Sequence, residues 1–299
     1  VSPFLTLNSY AKINLTLDVL SRRPDGYHNL ASVMQTISLT DRLHVARKEG
    51  AGITLHCRGD AAPEGPENLV WRAAEAALEA GRSREGVEIT LEKQIPAQAG
   101  LGGGSSNAAA ALLAVNLVLN LGLDAATLMR LAGRLGADVP FFLTGGTASV
   151  RGIGERVRAL PDCPPLWLVV VKPPVGVSTA AAYSALDAVP DRQSARATRD
   201  MEAAIESGDW ERVVRRMTND FERVVLEQHL EIAMAHDDLM MARAVAARLC
   251  GSGSAVFGVA EDEAHAHAIA QLLRRKYAVV HVCQTLARSE AVSPSEAEA

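Results

Sequence analysis

The most chemically suggestive stretch of this chain is Gly100-Leu101-Gly102-Gly103-Gly104-Ser105-Ser106-Asn107, set directly before an Ala/Leu-rich run. Glycines tolerate positive φ and let a backbone approach a ligand closely, so several N–H groups can converge on one anion. The helix that follows brings its positive dipole end to the same point. These residues predict a phosphate cradle. It is not a Walker A loop, because no Lys-Ser/Thr follows the last glycine, and its spacing is not G-x-G-x-x-G. Two charged residues could act on what the cradle holds. Lys12 lies on the polar side of an alternating segment, and spacing alone leaves it open between a solvated edge lysine and a working one. Asp138, in Gly136-Ala137-Asp138-Val139-Pro140, is either a turn former or a base. Tyr27 and His28 follow Asp25-Gly26 and either read a ligand or cover a strand end. Gly251 to Ala255 is a second small-residue loop, either closing over a ligand or joining two elements.

The elements that must position these residues follow from periodicity. Ala11, Ile13, Leu15, Leu17 and Val19 alternate with Lys12, Asn14, Thr16 and Asp18, which predicts a strand with one buried and one polar face. Ser32 to Leu39 reads as a return strand, and Arg42 to Arg47, Gly52 to Cys57 and Gly86 to Lys93 as further strands. A helix is predicted over Asn68 to Ala80. Another follows the cradle to about Leu121, with Ser105, Ser106 and Asn107 as N-cap candidates. Asp124 to Leu135 is a third. The Gly-rich stretch Gly145 to Gly154 leads to Pro161-Asp162-Cys163-Pro164-Pro165, where a domain boundary is expected. The second half opens with a strand at Leu166 to Val171. Helices then follow at Ala180 to Leu186, Met201 to Glu206, Trp210 to Met217 and His236 to Cys250, the last opened by His236-Asp237-Asp238 as caps. A strand after Gly251, a helix over Asp262 to Tyr277 and a strand over Ala278 to Gln284 complete the α+β pattern. The tail from Ser289 to Ala299 reads as disordered. The expected division is residues 1–160, 161–288 and the tail.

Composition narrows the function classes. The 299 residues predict two domains at ~150 residues each. A net charge of -5 without a Lys/Arg cluster argues against a nucleic-acid or anionic-membrane surface, so a polyanion would bind only in a local pocket. Cys57, Cys163, Cys250 and Cys283 form no CxxC, which fits a reducing compartment rather than a disulfide or zinc framework. The longest apolar stretch, Ala108 to Leu123, is broken by Asn116, Asn120 and Gly122, short of the ~20 residues a membrane span needs. No signal-peptide pattern precedes it, and a cytoplasmic protein is expected. His265 and His267 are two apart on a helix and cannot share a metal, so no metal ligands are assigned.

Taken together, these pieces resemble the GHMP kinase superfamily. Pro96-Ala97-Gln98-Ala99-Gly100-Leu101-Gly102-Gly103-Gly104-Ser105-Ser106-Asn107 looks like its phosphate-binding loop, and Cys250 to Phe257 looks like its third motif. Ala11-Lys12-Ile13-Asn14-Leu15, Arg23-Pro24-Asp25-Gly26-Tyr27-His28, Gly136 to Pro140 and Asn219-Asp220-Phe221-Glu222 appear in the family's order, across residues 11 to 257. They are most similar to the branch whose acceptor is a small cytidyl diphosphate, in non-mevalonate isoprenoid synthesis. The resemblance implies an N-terminal domain like ribosomal protein S5 domain 2 and a ferredoxin-like C-terminal domain, with ATP and acceptor in the cleft between. It implies Lys12 and Asp138 as the catalytic pair, and Asn14, Tyr27 and His28 with Asp138 at the acceptor. His28 would read the cytosine edge, and the base would lie between Tyr27 and Tyr183. Asn68 and Lys93 would border the adenosine. Mg2+ is expected with ATP, and the assembly is expected to be a monomer or weak homodimer. Two positions depart from the family pattern: Gln98, where a further glycine is usual, and Cys250, where Ser or Thr is usual. The competing readings are a GHMP kinase for a different alcohol and a catalytically silent nucleotide-binding protein.

Overall fold

The computed structural model describes residues 4–59, 62–190, 194 and 196–291. Its first half is built on two very long strands, β1 (Phe4–Arg22) and β2 (His28–Lys48), joined by the Arg23-to-Tyr27 turn. The predicted return strand and the one after it are therefore one element. β2 bends without breaking, because register shifts at Tyr10/Ala11 and Asn14/Thr16 absorb the curvature. β3 (Gly52–Gly59) runs parallel to β4 (Gly86–Lys93), linked by α1 (Leu69–Ala80). α2 (Gly103–Val118) is apolar on nearly every side and is buried against α1, β1 and β2. α3 (Ala125–Leu135) and α4 (Val139–Thr144) complete this helical layer. The stretch read as Gly-rich connection forms a hairpin, β5 (Thr147–Gly152) and β6 (Arg156–Ala159), added to the free part of β2. Its glycines flank the strands, which hid the short apolar run between them.

The second half starts at β7 (Trp167–Lys172), followed by α5 (Thr179–Asp187), α6 (Thr198–Ser207) and α7 (Trp210–Arg215). β8 (Thr218–Asn219) crosses back to pair with β1, so the larger sheet is seven-stranded in the order β3-β4-β2-β1-β8, with β5 on β2 and β6 on β5. α8 (Glu222–Gln228), α9 (Leu230–Met241), β9 (Ala246–Leu249), β10 (Val256–Ala260), α10 (Glu263–Leu273), β11 (Val279–Gln284) and the short α11 (Arg288–Ala291) follow. The smaller sheet has the order β11-β7-β10-β9, antiparallel throughout, the split βαβ arrangement of a ferredoxin-like unit.

Three sequence expectations are corrected here. The helix placed at His236 to Cys250 ends at Met241, and Ala246–Leu249 is a strand. His236, Asp237 and Asp238 are thus late in α9 rather than caps: His236 Nε2 lies 3.2 Å from the Ala247 carbonyl, and Asp238 pairs with Lys276 and Tyr277. Of the tail read as disordered, Ser289 to Ala291 belong to α11, while residues 292–299 lie outside the described set. Finally, the polar side of β1 is not solvated. Lys12, Asn14, Thr16 and Asp18 are all at most 4% exposed, because α6 and the loop after β9 cover that face.

One core cluster unites the two sheets, running from Ala11, Ile13 and Val33 to Leu168, Cys250 and Phe257. The four cysteines are free thiols. No helix among the described residues is long and apolar enough to cross a membrane.

Candidate active site

The phosphate loop takes its shape from contacts that glycine alone permits. Gly100 has φ +75°, and a Cβ there would sit 1.8 Å from the Cys250 carbonyl oxygen. Gly102 has φ +72° and caps α2, whose first residue is Gly103. The N-cap is therefore Gly102, and Ser105, Ser106 and Asn107 lie inside the first turns, a correction to the cap expected from their side chains. The left-handed φ explains part of it, and a Cβ at that position would also meet the Phe142 ring at 2.7 Å. Ser105 remains at the cavity edge, whereas Ser106 and Asn107 are buried.

The loop is held from both sides. Toward the smaller sheet, Ser254 N–H donates to the Gln98 carbonyl at 3.2 Å and Ala255 N–H to the Ala99 carbonyl at 3.1 Å. Gln98 itself adopts φ +51°, and its side-chain oxygen lies over Gly176. Gln98 is thus docked where the family pattern has glycine. Cys250 is fully buried in the shared core, and burial pushes its thiol well above the usual range, so it serves as packing. Asn219 donates to the Leu249 and Gly251 carbonyls at 2.9 and 2.7 Å and so fixes the second loop.

Toward the larger sheet, the organising group is Asp41, which sequence reasoning missed. Its fully buried carboxylate accepts from Lys93 Nζ at 2.5 Å, Gln94 N–H at 2.6 Å, Ile95 N–H at 2.7 Å and Asn107 Nδ2 at 2.9 Å. One residue therefore ties the strand entering the loop to the helix leaving it. An acid between two strand signals gave no hint of this, since its partners lie 52 to 66 residues away in sequence.

Lys12 and Asp138 come together as the resemblance implies. Lys12 Nζ donates to Asn14 Oδ1 at 2.8 Å and stands 3.9 Å from Asp138 Oδ2. Lys12 is buried, while the Asp138 side chain is 34% exposed and faces the cavity. Asn14 donates in turn to Ser32 Oγ at 2.8 Å. Burying a polar group this deeply is costly unless it has partners, and Asn14 and Asp138 supply them.

At the other end of the same cavity, of about 610 Å³, lie Tyr27, His28 and Tyr183. His28 is buried, and its ring stacks on Tyr183 with centroids 4.6 Å apart and planes at 16°. Tyr183 meets Phe221 edge-on at 4.9 Å. Burial first, and the nearby Asp138 charge second, push the Tyr183 phenol up to about 12, so it stays neutral. Tyr27 is 61% exposed on the rim. Tyr183 is thus packed by both His28 and Phe221, while Tyr27 stands on the cavity rim.

Two expected nucleotide residues have other partners. Asn68 caps α1, accepting from Val70 N–H at 2.9 Å and donating to the Pro63 carbonyl at 2.7 Å. Lys93 is committed to Asp41 and to Asn107 Oδ1 at 3.2 Å. Neither lines the 610 Å³ cavity.

This geometry agrees with independent comparisons. The GHMP kinases N terminal domain model matches residues 68–146, and the GHMP kinases C terminal model matches residues 201–279. A 4-diphosphocytidyl-2-C-methyl-D-erythritol kinase of Moorella thermoacetica is 48% identical, over 94% of this chain and 99% of that protein. The chain belongs to this branch of the GHMP kinase family. A crystal structure of 4-(cytidine 5'-diphospho)-2C-methyl-D-erythritol kinase superposes with a TM-score of 0.79 at 38% identity, covering 94% of this chain and 99% of that one. Homoserine kinase from Cytophaga hutchinsonii gives a TM-score of 0.74 at 18% identity, over 96% of both chains, and shows the shared fold alone. The two-domain GHMP kinase fold with mixed α/β content is thereby established, as is the use of ATP that the kinase family implies.

Proposed function

We propose that the chain transfers the γ-phosphoryl group of ATP to the 2-hydroxyl of 4-diphosphocytidyl-2-C-methyl-D-erythritol. The observation that carries this reading is a single cavity with a phosphate loop and the Lys12–Asp138 pair at one end and Tyr27, His28 and Tyr183 at the other. A phosphoryl donor and a base-bearing acceptor would meet between them. The Moorella relative, near-full-length and 48% identical, supports the same acceptor. In this reading the chain divides into two domains near residues 161–165, each contributing one wall.

The loop N–H groups and the start of α2 bind the ATP phosphates. Asp138 takes the proton of the acceptor hydroxyl as its oxygen bonds to the γ-phosphorus and the bond to the β-phosphate oxygen breaks, releasing ADP. Lys12, held by Asn14, keeps a positive charge beside the forming alkoxide and the Asp138 carboxylate. Positioning and electrostatics supply most of the acceleration in this reaction class. The Ser105 hydroxyl lines the cavity at the start of α2 and would be the side chain to hold a Mg2+ that arrives on the nucleotide's phosphates, where that ion keeps several waters. When bound, it would neutralise charge on the phosphate oxygens.

An ADP-release assay with ATP and 4-diphosphocytidyl-2-C-methyl-D-erythritol tests the proposal, with homoserine and mevalonate as competing acceptors. Fast ADP release with the cytidyl acceptor alone is expected. Equal turnover of either competitor would replace the acceptor, and ATP binding without ADP release would make this a silent nucleotide-binding protein.

A further inference from the structure

The base end of the cavity contains a charged side chain that neither motif nor spacing singles out. Asp187, the last residue of α5, comes 2.8 Å from His28 Nε2 through its Oδ1, and Arg22 Nε stands 3.8 Å from its other oxygen. Asp187, His28, Arg22 and Tyr183 all line the same cavity. Stacking on Tyr183 fixes the plane of the His28 ring, and the carboxylate fixes its rotation. An ionised carboxylate only accepts, so Nε2 must carry the hydrogen. In a neutral imidazole the other nitrogen, Nδ1, is then an acceptor. Nδ1 has no hydrogen-bond partner among the described residues and is the ring nitrogen left for a ligand.

We infer that Asp187 is a positioning residue that sets base specificity. By holding the proton on His28 Nε2, it presents Nδ1 as an acceptor for the exocyclic 4-amino group of cytosine. Uracil carries a 4-oxo group at that position, itself an acceptor, so two lone pairs would face each other. A site built around such a hydrogen bond rejects the analogue that cannot form it, because a buried polar atom is left unpaired. Asp187 makes no contact with the base in this account. Its effect runs through His28, and the inference rests on the proposed cytidyl acceptor.

The test combines turnover and spectroscopy. Wild type and Asp187→Ala are compared with 4-diphosphocytidyl-2-C-methyl-D-erythritol and its uridyl analogue, and the ring nitrogens of His28 are followed by 15N NMR in the nucleotide-free protein. Wild type should show a protonated Nε2 and an unprotonated Nδ1, with kcat/KM favouring the cytidyl acceptor. In Asp187→Ala that preference should fall by roughly tenfold or more, through KM for the cytidyl acceptor with kcat largely kept. The ring signals should shift toward a mixture of tautomers. A wild-type ring protonated at Nδ1 overturns the inference, whether or not any variant folds. So does a variant that loses both acceptors equally. A wild type that turns over neither acceptor would instead refute the proposed function, while the tautomer measurement would still report on Asp187.

Discussion

The two ends of the cavity are built on different principles. At the phosphate end the working surface is backbone, shaped by Gly100 and Gly102 and locked from outside by Asp41, Asn219 and Ser254. At the base end it is side chain: Tyr27 and His28 come from the β1–β2 turn and its edge, Tyr183 and Asp187 from α5. In the proposed reading, the first kind of site is held rigidly by buried partners and meets only the phosphoryl donor. The second kind is adjustable, and there substrate choice can change without disturbing phosphoryl transfer.

The comparison can be broken most forcefully where the two ends meet. Asp138→Asn should lower kcat by about 10³-fold if Asp138 is the base, within the usual range for general-base removal, with ATP affinity little changed. Single-turnover kinetics measure this, and a rate near wild type would remove Asp138 from that role. Gly100→Ala comes next. Its Cβ would collide with the Cys250 carbonyl at 1.8 Å and strain a φ of +75°, so KM for ATP should rise by at least tenfold or the protein should fail to fold. A nucleotide titration beside a melting curve separates the two outcomes.

Asp41→Asn sharpens the claim that the phosphate end is stiff because its supports are buried. Removing one partner of a buried pair commonly costs about 3–5 kcal/mol, and Lys93 would lose its carboxylate. Denaturant unfolding should show a loss of that order, and KM for ATP should rise while KM for the acceptor stays put. At the base end, Tyr27→Ala should raise KM for the acceptor by roughly tenfold with kcat unchanged, on the ~1–3 kcal/mol scale of base–aromatic stacking. A change in kcat instead would mean that the two ends are coupled.

The smallest effect is on alkaline stability. Burial raises the Cys163 and Cys283 thiols to about 12 from an ordinary value of 9.0, and the Tyr183 phenol to about 12 from 10.0. Their neutral forms are favoured in the folded chain, so this stability is complete below pH 9 and is lost as pH climbs toward 12. Each group steepens the decline by about 1.4 kcal/mol per pH unit between its two values. Melting temperatures measured between pH 8 and pH 11 should fall less steeply in Cys163→Ala than in wild type.

Much of the site was legible before any fold was known, but unevenly. Gly100 and Gly102 announced themselves because positive φ and close approach require glycine, a local demand written in local sequence. The strand read at Gly86 to Lys93 and the helix read at Asp124 to Leu135 match β4 and α3 with its Asp124 cap. The His236-to-Cys250 helix failed because Ala242 to Leu249 is helix-forming in composition, while pairing with β10 makes Ala246–Leu249 a strand. The hairpin of β5 and β6 was hidden for a related reason, since its partner strand lies more than a hundred residues earlier.

By itself, the sequence determined the α+β pattern and the glycine-rich loop, and it pointed to residue types able to transfer a phosphoryl group. Spacing left Lys12 and Asp138 undecided, though the resemblance implied them as a pair, because nothing local distinguishes a buried lysine from a solvated one or a base from a turn former. Tertiary structure covered the polar side of β1 and brought Asp138 within 3.9 Å of Lys12 across 126 residues of chain, and the proposed roles of both rest on that proximity. It also recruited Asp41 and Asp187, two carboxylates with no motif, whose significance comes only from the distant groups folded onto them. Local backbone demands leave a local trace in sequence; a buried charge shows its purpose only once its partners surround it.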